Sequence, residues 1–377
     1  MALPRSKYVQ EGKEGVYHCF SRCVRRAFLY GYDTRTRRDF SHRKAWLVNR
    51  LRQLAGIFAI EVCAYAVMEN HYHVILRTRP DISARWSDQE VAARWLTLFP
   101  RNCGLRNAAK LSVEEQIRFL ANCPGRIATL RQRLSSLSWF MGRLNEYIAR
   151  AANKEDGVKG RFWESRFKCQ ALLDEAAIAA CMVYVDLNPM RAGRARTAEE
   201  SDFTSIQERI RAWGKERMTA VSVPTKAGQN DPLSSDKIPD TAKGFSYRVE
   251  GNNVKIDSVG DGDAAAYWLC PISSEGGRRG ILPMTAGEYI DLVDKSGRMI
   301  QTDKRGAIDI DLTPILLRIG ANPKAWPETV SGFGDKFNLV AGLLSNLRDF
   351  ADQLGKRWFK GVSAARIAFA SSPPHLA

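Results

Sequence analysis

Strand-like apolar composition on either side of a polar turn predicts a β-hairpin near the start of the chain. Phe58–Met68 and His71–Thr78 both read as strands, and Glu69 and Asn70 between them suit a tight turn. Ahead of the hairpin, Tyr17–Arg22 is predicted as a short strand and Arg38–Gly56 as an amphipathic helix. The apolar stripe of this helix consists of Phe40, Leu47, Leu51 and Leu54. A βα unit followed by a hairpin is therefore expected to open the fold.

Steps of three and four residues between apolar positions predict a long helix in the middle of the chain. It extends from Ile127 to Ile148, and its other face carries Arg131, Arg133, Arg143 and Arg150. A further helix is expected to begin after Asp174, whose carboxylate can cap it, and to contain Tyr184 in its final turns. Pro189 is expected to stop this helix, because the residue before a proline avoids helical geometry.

The length of 377 residues favours two domains over one. Between Thr219 and Gly244 the composition turns to Pro, Ser, Thr, Lys and Asp without periodicity, which is typical of a linker. The predicted organisation is an N-terminal domain over residues 1–218, a linker over 219–244 and a C-terminal domain over 245–377.

The C-terminal domain is predicted to be mainly helical. Thr285 and Glu288 form a capping box, and Pro314 suits the start of another helix. Phe337–Leu354 also has a helical apolar pattern. No internal repeat or low-complexity tract accompanies these elements.

Composition favours a basic, water-soluble protein. Apolar residues make up 45% of the chain, and no run approaches the roughly eighteen apolar residues of a membrane span. The N-terminus lacks the apolar run of a signal peptide, so a cytoplasmic location is expected. Lys and Arg number 57 against 41 acidic residues, a formal net charge of +16, which favours a polyanionic partner such as nucleic acid.

The eight cysteines are scattered through apolar segments without a C-x-x-C pair. They are therefore expected to be reduced and buried. A zinc site built on Cys19 and Cys23 is the less favoured alternative, because their spacing is wide and no second pair follows.

His71 and His73 are the first candidate site. Alternation along a strand sends both imidazoles to one face and Tyr72 to the other. Neutral imidazoles bind divalent ions such as Mn²⁺ and Zn²⁺, but two ligands do not close a site, so a third must come from elsewhere. On this pattern alone, a pair of structural histidines is the more common explanation.

Tyr184 and Asn188 are one helical turn apart and share a face. An amide oxygen could reach a metal ion while the phenol lies beside it as a nucleophile. The alternative is that Tyr184 belongs to the apolar core and Asn188 only ends the helix. Spacing does not decide between these interpretations.

A basic and aromatic segment, Gly160–Lys168, is a candidate nucleic-acid contact. It interleaves aromatic residues with cations, a composition that suits stacked bases and phosphates of a single strand. The competing interpretation is a solvated basic turn with an aromatic anchor. The segment contains Arg161, Phe162, Trp163, Arg166, Phe167 and Lys168.

Five segments, taken in order, resemble the bacterial HUH single-tyrosine transposases, especially the REP-associated tyrosine transposase branch. They are YHCFSRCVRR, AYAVMENHYHVILRT, FMGRLNEYIAR, GRFWESRFK and YVDLNPMRAG, and together they span about residues 17–193. The most specific are MENHYHVIL, which is similar to the family's M-x-N-H-x-H segment, and YVDLNPMRAG, which is similar to its Y-x-x-x-N-P-x-[RK]-x-G segment. The chain departs from the family in an insert at about residues 81–129 and in its C-terminal domain.

The resemblance implies an α+β fold, with an antiparallel sheet and helices on one face in a ferredoxin-like arrangement. It also implies that His71 and His73 bind a divalent metal ion, Mg²⁺ or Mn²⁺, with Asn188 as third ligand. Tyr184 would attack the scissile phosphate and form a 5′-phosphotyrosine link with release of a 3′-OH. His18 is expected to be structural and not a ligand.

The implied partner is single-stranded or hairpin DNA in the bacterial nucleoid, cut and rejoined during transposition. Candidate DNA contacts are Arg161, Trp163, Arg166, Lys168, Arg131 and Arg143. Two other functions remain open. One is a domesticated hairpin-binding protein that does not cleave, and the other is a hydrolytic metallophosphoesterase in which Tyr184 is structural. Whether the protein is a monomer or a homodimer also remains open.

Overall fold

The predicted βα unit and hairpin are present in a computed structural model of the chain. The structure describes residues 3–24, 30–33, 37–100, 102–104, 110–222, 246–251, 253–257, 268–301 and 312–369. The first elements are α1 (Arg5–Tyr8), β1 (Gly15–Arg22), β2 (Tyr32–Asp33), β3 (Arg38–Asp39), α2 (Arg43–Ile57), β4 (Ile60–Met68) and β5 (His71–Thr78). The helix α2 begins later than predicted because Asp39 accepts hydrogen bonds from the main-chain N–H and the hydroxyl of Ser41, which holds a turn ahead of it.

Helices fill the region between the hairpin and the next strand. They are α3 (Pro80–Arg85), α4 (Asp88–Leu98), α5 (Val113–Ala121), α6 (Pro124–Arg133) and α7 (Leu137–Asp156). The single helix predicted over Ile127–Ile148 is therefore wrong, since α6 and α7 are separate. The Leu134 carbonyl leaves the helical pattern and accepts a hydrogen bond from the Ala59 N–H at 2.9 Å. Leu134 and Leu137 are both buried, so the apolar spacing continues across the break and conceals it.

The helix that carries Tyr184 begins as predicted and ends slightly earlier. Asp174 accepts a hydrogen bond from the Ala177 N–H at 3.0 Å and caps its first turn. The chain turns at Leu187, and Pro189 lies in the first turn of a separate short helix. These elements are β6 (Lys168–Leu172), α8 (Glu175–Asp186), α9 (Asn188–Arg191) and α10 (Ser205–Ser222).

The C-terminal part is rich in helices in the portion that the structure describes. Its elements are β7 (Ser246–Glu250), β8 (Asn253–Asp257), α11 (Ala286–Gln301), α12 (Thr313–Arg318), α13 (Trp326–Ser331), α14 (Phe333–Lys336), β9 (Val340–Ala341), α15 (Leu344–Gln353) and α16 (Val362–Ala368), with a 3₁₀ turn at Pro323–Ala325. The Thr285 and Glu288 capping box is present, with main-chain to side-chain hydrogen bonds of 2.7 and 3.2 Å. Pro314 lies in the first turn of α12, as predicted.

Two sequence-based boundaries need correction. The predicted helix over Phe337–Leu354 contains the strand β9 before α15, because Leu339 and Ala341 accept main-chain hydrogen bonds from β6 and its end. The predicted linker over residues 219–244 overlaps α10, which extends to Ser222, and residues 223–245 lie outside the described part. The domain boundary at this point stays a prediction.

The main sheet is mixed and has the order β4-β5-β1-β6-β9. The first four strands are antiparallel to their neighbours, whereas β9 pairs parallel to β6 through Ala171 with Val340 and Leu172 with Ala341. The prediction of a purely antiparallel sheet is therefore wrong at this edge. The fifth strand comes from the C-terminal part and could not be assigned from the family motifs.

Helices cover both faces of the sheet, which corrects the prediction of helices on one face. On one face, Tyr72 donates a hydrogen bond of 2.6 Å to Asn145 on α7. On the other face, His73 lies against Tyr184 on α8. The second layer forms because nearly every residue of α8 is buried, and a helix that is apolar all round needs cover on more than one side.

The C-terminal part packs against the same core as the sheet. Cys270 donates its main-chain N–H to the Val62 carbonyl at 2.8 Å, and Leu343 donates to the Asp174 carboxylate at 2.6 Å. All eight cysteines are free thiols, and all but Cys123 are buried. In the ranges described above, no helix has the length and apolar character needed to cross a membrane.

Asp186 joins α8 to two other helices through a fully buried carboxylate. It accepts hydrogen bonds from the Ser205 hydroxyl at 2.5 Å, from the Ile206 N–H at 3.1 Å and from the Tyr289 hydroxyl at 2.6 Å. Burial raises the pKa of Asp186 to about 6, although these hydrogen bonds lower it. The folded protein therefore holds a proton on Asp186 at a pH where the unfolded chain has released it.

The stability that Asp186 contributes should be lost as the pH rises. It is fully present below the unfolded pKa of 3.8 and disappears through the folded pKa of about 6. A difference of about two pH units corresponds to roughly 3 kcal/mol. Asp186→Asn removes this titration. The free energy of unfolding of Asp186→Asn minus that of wild type should therefore be larger at pH 7 than at pH 4, by up to about 3 kcal/mol. Urea unfolding at both pH values measures it.

The exposed carboxylate Asp352 provides the control, and Asp352→Asn should stay within about 0.5 kcal/mol of wild type at both pH values. A constant difference between Asp186→Asn and wild type across this range would contradict the buried-acid interpretation.

Candidate active site

His71 and His73 lie on β5, which pairs with β4 on one side and with β1 on the other. Their ring centroids are 5.0 Å apart at an interplanar angle of 86°, so the two imidazoles converge as the strand alternation predicts. His73 is buried, whereas His71 at the turn is half-buried. His18 on β1 stacks on His73 at 5.1 Å and adds a third imidazole to this face.

Hydrogen bonds fix which ring nitrogens of the histidines remain free. The amide oxygen of Asn70 accepts from His71 Nδ1 at 2.7 Å, and the amide oxygen of Gln170 accepts from His18 Nδ1 at 3.4 Å. With its proton on Nδ1, His18 offers the lone pair of Nε2, which then accepts from His73 Nδ1 at 2.9 Å. His71 and His73 therefore both keep an Nε2 lone pair outside this hydrogen-bond chain.

All three imidazoles are neutral near pH 7. Burial lowers the pKa of His18 and of His71 to about 4, and the Arg22 charge adds to the effect on His71. Burial also holds the pKa of His73 well below its usual range, with a further contribution from the neighbouring His18. Neutral imidazoles are the form that binds divalent metals, because protonation would occupy the lone pair.

Tyr184 on α8 lies beside these histidines and is half-buried. Its ring centroid is 5.7 Å from that of His73, at an interplanar angle of 83°, and 6.1 Å from that of His18. Burial raises the pKa of the Tyr184 phenol, while the positive charge of Arg191 lowers it. The Arg191 guanidinium carbon lies 4.9 Å from the centroid of the Tyr184 ring.

Asn188 lies one turn after Tyr184, as predicted, and its side chain forms a hydrogen bond with the main chain. Its side-chain amide nitrogen donates to the Tyr184 carbonyl at 2.9 Å, so it caps the end of α8. Asn188 is buried. Among the residues that the structure describes, no three His, Cys, Asp or Glu side chains are grouped to hold a metal ion.

The loop of residues 160–168 separates its aromatic residues from its cations. Arg161, Arg166 and Lys168 are exposed, as a nucleic-acid contact requires. Trp163 is only 8% exposed, and its indole N–H donates to the Asn145 carbonyl at 2.9 Å. It also packs edge-on against Tyr72 at 5.6 Å. This burial favours the alternative in which Trp163 anchors the loop, and stacking of Trp163 on bases stays a prediction.

Arg131 and Arg143 are partly buried and have partners within the chain. Arg131 donates to the carbonyls of Ser83 and Trp86, both at 2.6 Å, and holds α3 against α6. Arg143 pairs with Glu146 at 2.5 Å and lies over the Phe99 ring. Residues of the insert therefore contact Arg131 and Arg143, two of the residues that were predicted to contact DNA.

Sequence reasoning missed several residues around Tyr184 and His73. His18 was assigned a structural part, but its cross-strand neighbours Gln170 and Ile75 emerge only from the strand register. Arg191 lies within the YVDLNPMRAG segment, yet only the turn between α8 and α9 brings it over the phenol. Phe333, 6.0 Å from the Tyr184 ring centroid, belongs to the C-terminal part and carries no local signal.

Trp163→Ala should destabilise the protein, because it removes a buried indole that touches Tyr72 and Asn145. The expected loss in free energy of unfolding is about 3–5 kcal/mol. Trp358, which is 70% exposed, is the matched control, and Trp358→Ala should have an effect within about 0.5 kcal/mol. Urea denaturation measures both variants. Wild-type stability in Trp163→Ala, combined with weaker binding to single strands, would restore the stacking interpretation.

Comparison with known proteins gives little further information. No protein-family model and no curated protein matches the chain. Among solved structures, a REP-associated tyrosine transposase bound to a REP hairpin is 14% identical, and the match covers 63% of this chain and 99% of that chain. Its TM-score of 0.32 is too low to support a shared fold.

Proposed function

We propose that this protein is a metal-dependent single-stranded DNA endonuclease and strand transferase of the HUH tyrosine transposase type. The observation that carries the proposal is the meeting of the two most specific motif segments. His73 of MENHYHVIL and Tyr184 of YVDLNPMRAG are far apart in sequence, and their ring centroids are 5.7 Å apart. A structural histidine pair and a core tyrosine would not need to meet at a half-buried position.

The topology of the first four strands of the main sheet supports this proposal. The order β4-β5-β1-β6, with α2 after β1 and α7 before β6, is the one that the proposed βαββαβ ferredoxin-like unit requires. The two helices pack together, since Arg43 on α2 forms ion pairs with Glu155 and Asp156 on α7. The helices between β5 and α7, which are α3 to α6, fall mainly in the insert.

The donor set at the site fits a divalent metal ion. His71 and His73 are neutral and each keeps an Nε2 lone pair, and Asn188 is proposed as the third ligand from the helix that carries Tyr184. When bound, Mg²⁺ or Mn²⁺ would supply positive charge to a non-bridging oxygen of the scissile phosphate. His18 and Gln170 would hold the His73 ring in the required tautomer.

Tyr184 would supply the nucleophilic oxygen. The bond from its phenolic oxygen to phosphorus forms as the bond from phosphorus to the 3′-oxygen breaks, and the proton lost by the phenol is balanced by the one gained at the 3′-OH. The 5′ end stays on Tyr184 as a phosphotyrosine, and a later 3′-OH can reverse the exchange. Arg191 favours the ionised phenol, which burial disfavours.

Single-stranded or hairpin DNA is the proposed partner. The net charge of +16 favours a polyanion, and the loop of residues 160–168 brings exposed cations to the site end of the sheet. Arg22 pairs with His71 across the strands, and its carbonyl accepts the Glu164 N–H at 2.9 Å. Arg161 and Arg166 lie close in sequence to this contact.

Tyr184→Phe should abolish the covalent protein–DNA adduct while leaving hairpin affinity within about threefold, because only the nucleophilic oxygen is removed. Incubation with labelled hairpin DNA and Mn²⁺, followed by denaturing electrophoresis, measures the adduct. The control is Tyr147→Phe, since Tyr147 is an exposed tyrosine within the matched segments. It should form the adduct at the wild-type rate.

Each alternative function has its own outcome in this experiment. Cleaved DNA without an adduct in the wild type would indicate the hydrolytic metallophosphoesterase. Hairpin binding without cleavage would indicate a domesticated binding protein. An adduct that persists in Tyr184→Phe would assign the nucleophile to a different residue.

The histidines should contribute unequally to metal affinity. His71→Ala and His73→Ala should each abolish measurable Mn²⁺ binding, whereas His18→Ala should weaken it by about 10–100-fold, because it removes a partner that orients a ligand. His42 is the matched control, because it is exposed and pairs with Glu155 at 2.8 Å. Isothermal titration with Mn²⁺ gives the affinities. Wild-type Mn²⁺ affinity in both His71→Ala and His73→Ala would refute the metal site.

A further inference from the structure

The C-terminal part touches Tyr184 directly. The Phe333 ring centroid lies 6.0 Å from that of Tyr184. Gly334 lies against the hydroxyl, and a Cβ atom at this position would stand 2.9 Å from Tyr184 Oη and 3.4 Å from Cζ. The phenol therefore ends against the main chain of α14, at a point where any side chain would collide with it.

We propose that α14 is a wall that positions the Tyr184 phenol, and that Gly334 is a positioning residue because it lacks a side chain. The inference rests on the proposed function, in which Tyr184 is the nucleophile. It gives the C-terminal part, which the matched motifs leave unexplained, a role in positioning the nucleophile.

Buried contacts on both sides hold α14 in place, so that it can fix the position of the phenol. Phe333 is fully buried and packs on Phe337 at 5.0 Å, which stacks on Phe369 at 5.7 Å. The chain then enters β9 and joins the main sheet beside β6. On the preceding side, Trp326 is fully buried and donates its indole N–H to the Ser296 hydroxyl at 2.9 Å.

The other neighbours of the phenol complete its enclosure. His73 lies edge-on at 5.7 Å, and the Arg191 guanidinium carbon is 4.9 Å from the ring centroid. The wall therefore sets how far the hydroxyl extends, while the imidazole and the guanidinium set the plane of the ring. A tyrosine side chain has only two main torsions, so it cannot avoid a new contact at Oη without moving the whole ring.

Gly334→Ala tests this contact with little other disturbance. Gly334 lies within a helix and its φ is not in the left-handed region, so the main chain accepts alanine. The added methyl group would meet only the Tyr184 ring within 4 Å. Gly287→Ala is the matched control, because Gly287 is also helical and its Cβ would make an ordinary contact with Trp213 at 3.8 Å.

The first measurement is the single-turnover rate of adduct formation at saturating hairpin DNA. Gly334→Ala should lower this rate by about 100-fold with unchanged hairpin affinity, since a misplacement of about 1 Å can cost that much. Gly287→Ala should react at the wild-type rate.

The second measurement is a melting cycle that needs no DNA. Gly334→Ala should lower the melting temperature in the wild-type background and lower it less in the Tyr184→Phe background, where the colliding oxygen is gone. Equal shifts in both backgrounds would show that the two residues do not interact, and would overturn the inference.

The two proposals fail in different ways. A wild-type rate in Gly334→Ala, beside a Tyr184→Phe variant that forms no adduct, would overturn the wall and leave the proposed function standing. An adduct in Tyr184→Phe would overturn the proposed function and the catalytic part of the inference together, whatever the melting cycle shows.

Discussion

The burial of α8 is the constraint on which the rest of the structure depends. Almost every residue of this helix is buried, so one contact surface cannot satisfy it. The main sheet covers one side, and the C-terminal part covers another through Tyr289 and Phe333. Tyr184 is half-buried at the meeting point of these surfaces. Its environment is therefore a consequence of how the whole helix is enclosed.

Burial imposes a second requirement on the polar groups beneath α8. His18, Gln170 and His73 are all buried on the same face of the sheet, where an unpaired polar atom would be costly. They satisfy one another in a chain of hydrogen bonds from amide to imidazole to imidazole. This series of hydrogen bonds ends at His73 Nε2. The free lone pair at the site therefore depends on how the buried polar groups pair with one another, and not on the local sequence alone.

The sequence predicted the local features well and the long-range ones, such as the anchoring of Trp163, poorly. The hairpin, the Asp174 cap and the Thr285 capping box depend on neighbouring residues, so their patterns suffice. The break between α6 and α7 depends on the distant Ala59. The anchoring of Trp163, the parallel strand β9 and the approach of Gly334 depend likewise on partners that become adjacent only after folding.

Two opposing effects meet at Tyr184 and explain why it lies at an edge of the core. Burial restricts the phenol and raises its pKa, which opposes ionisation, whereas the neighbouring Arg191 lowers that pKa. Under the proposed function, full burial of Tyr184 would exclude the scissile phosphate, and full exposure would leave the ring free to rotate. Asp186, two residues further along α8, ties the same helix to α10 and α11 and so keeps the enclosing surfaces in register. The same packing around α8 therefore fixes the position of the Tyr184 phenol and stabilises the helices that cover it.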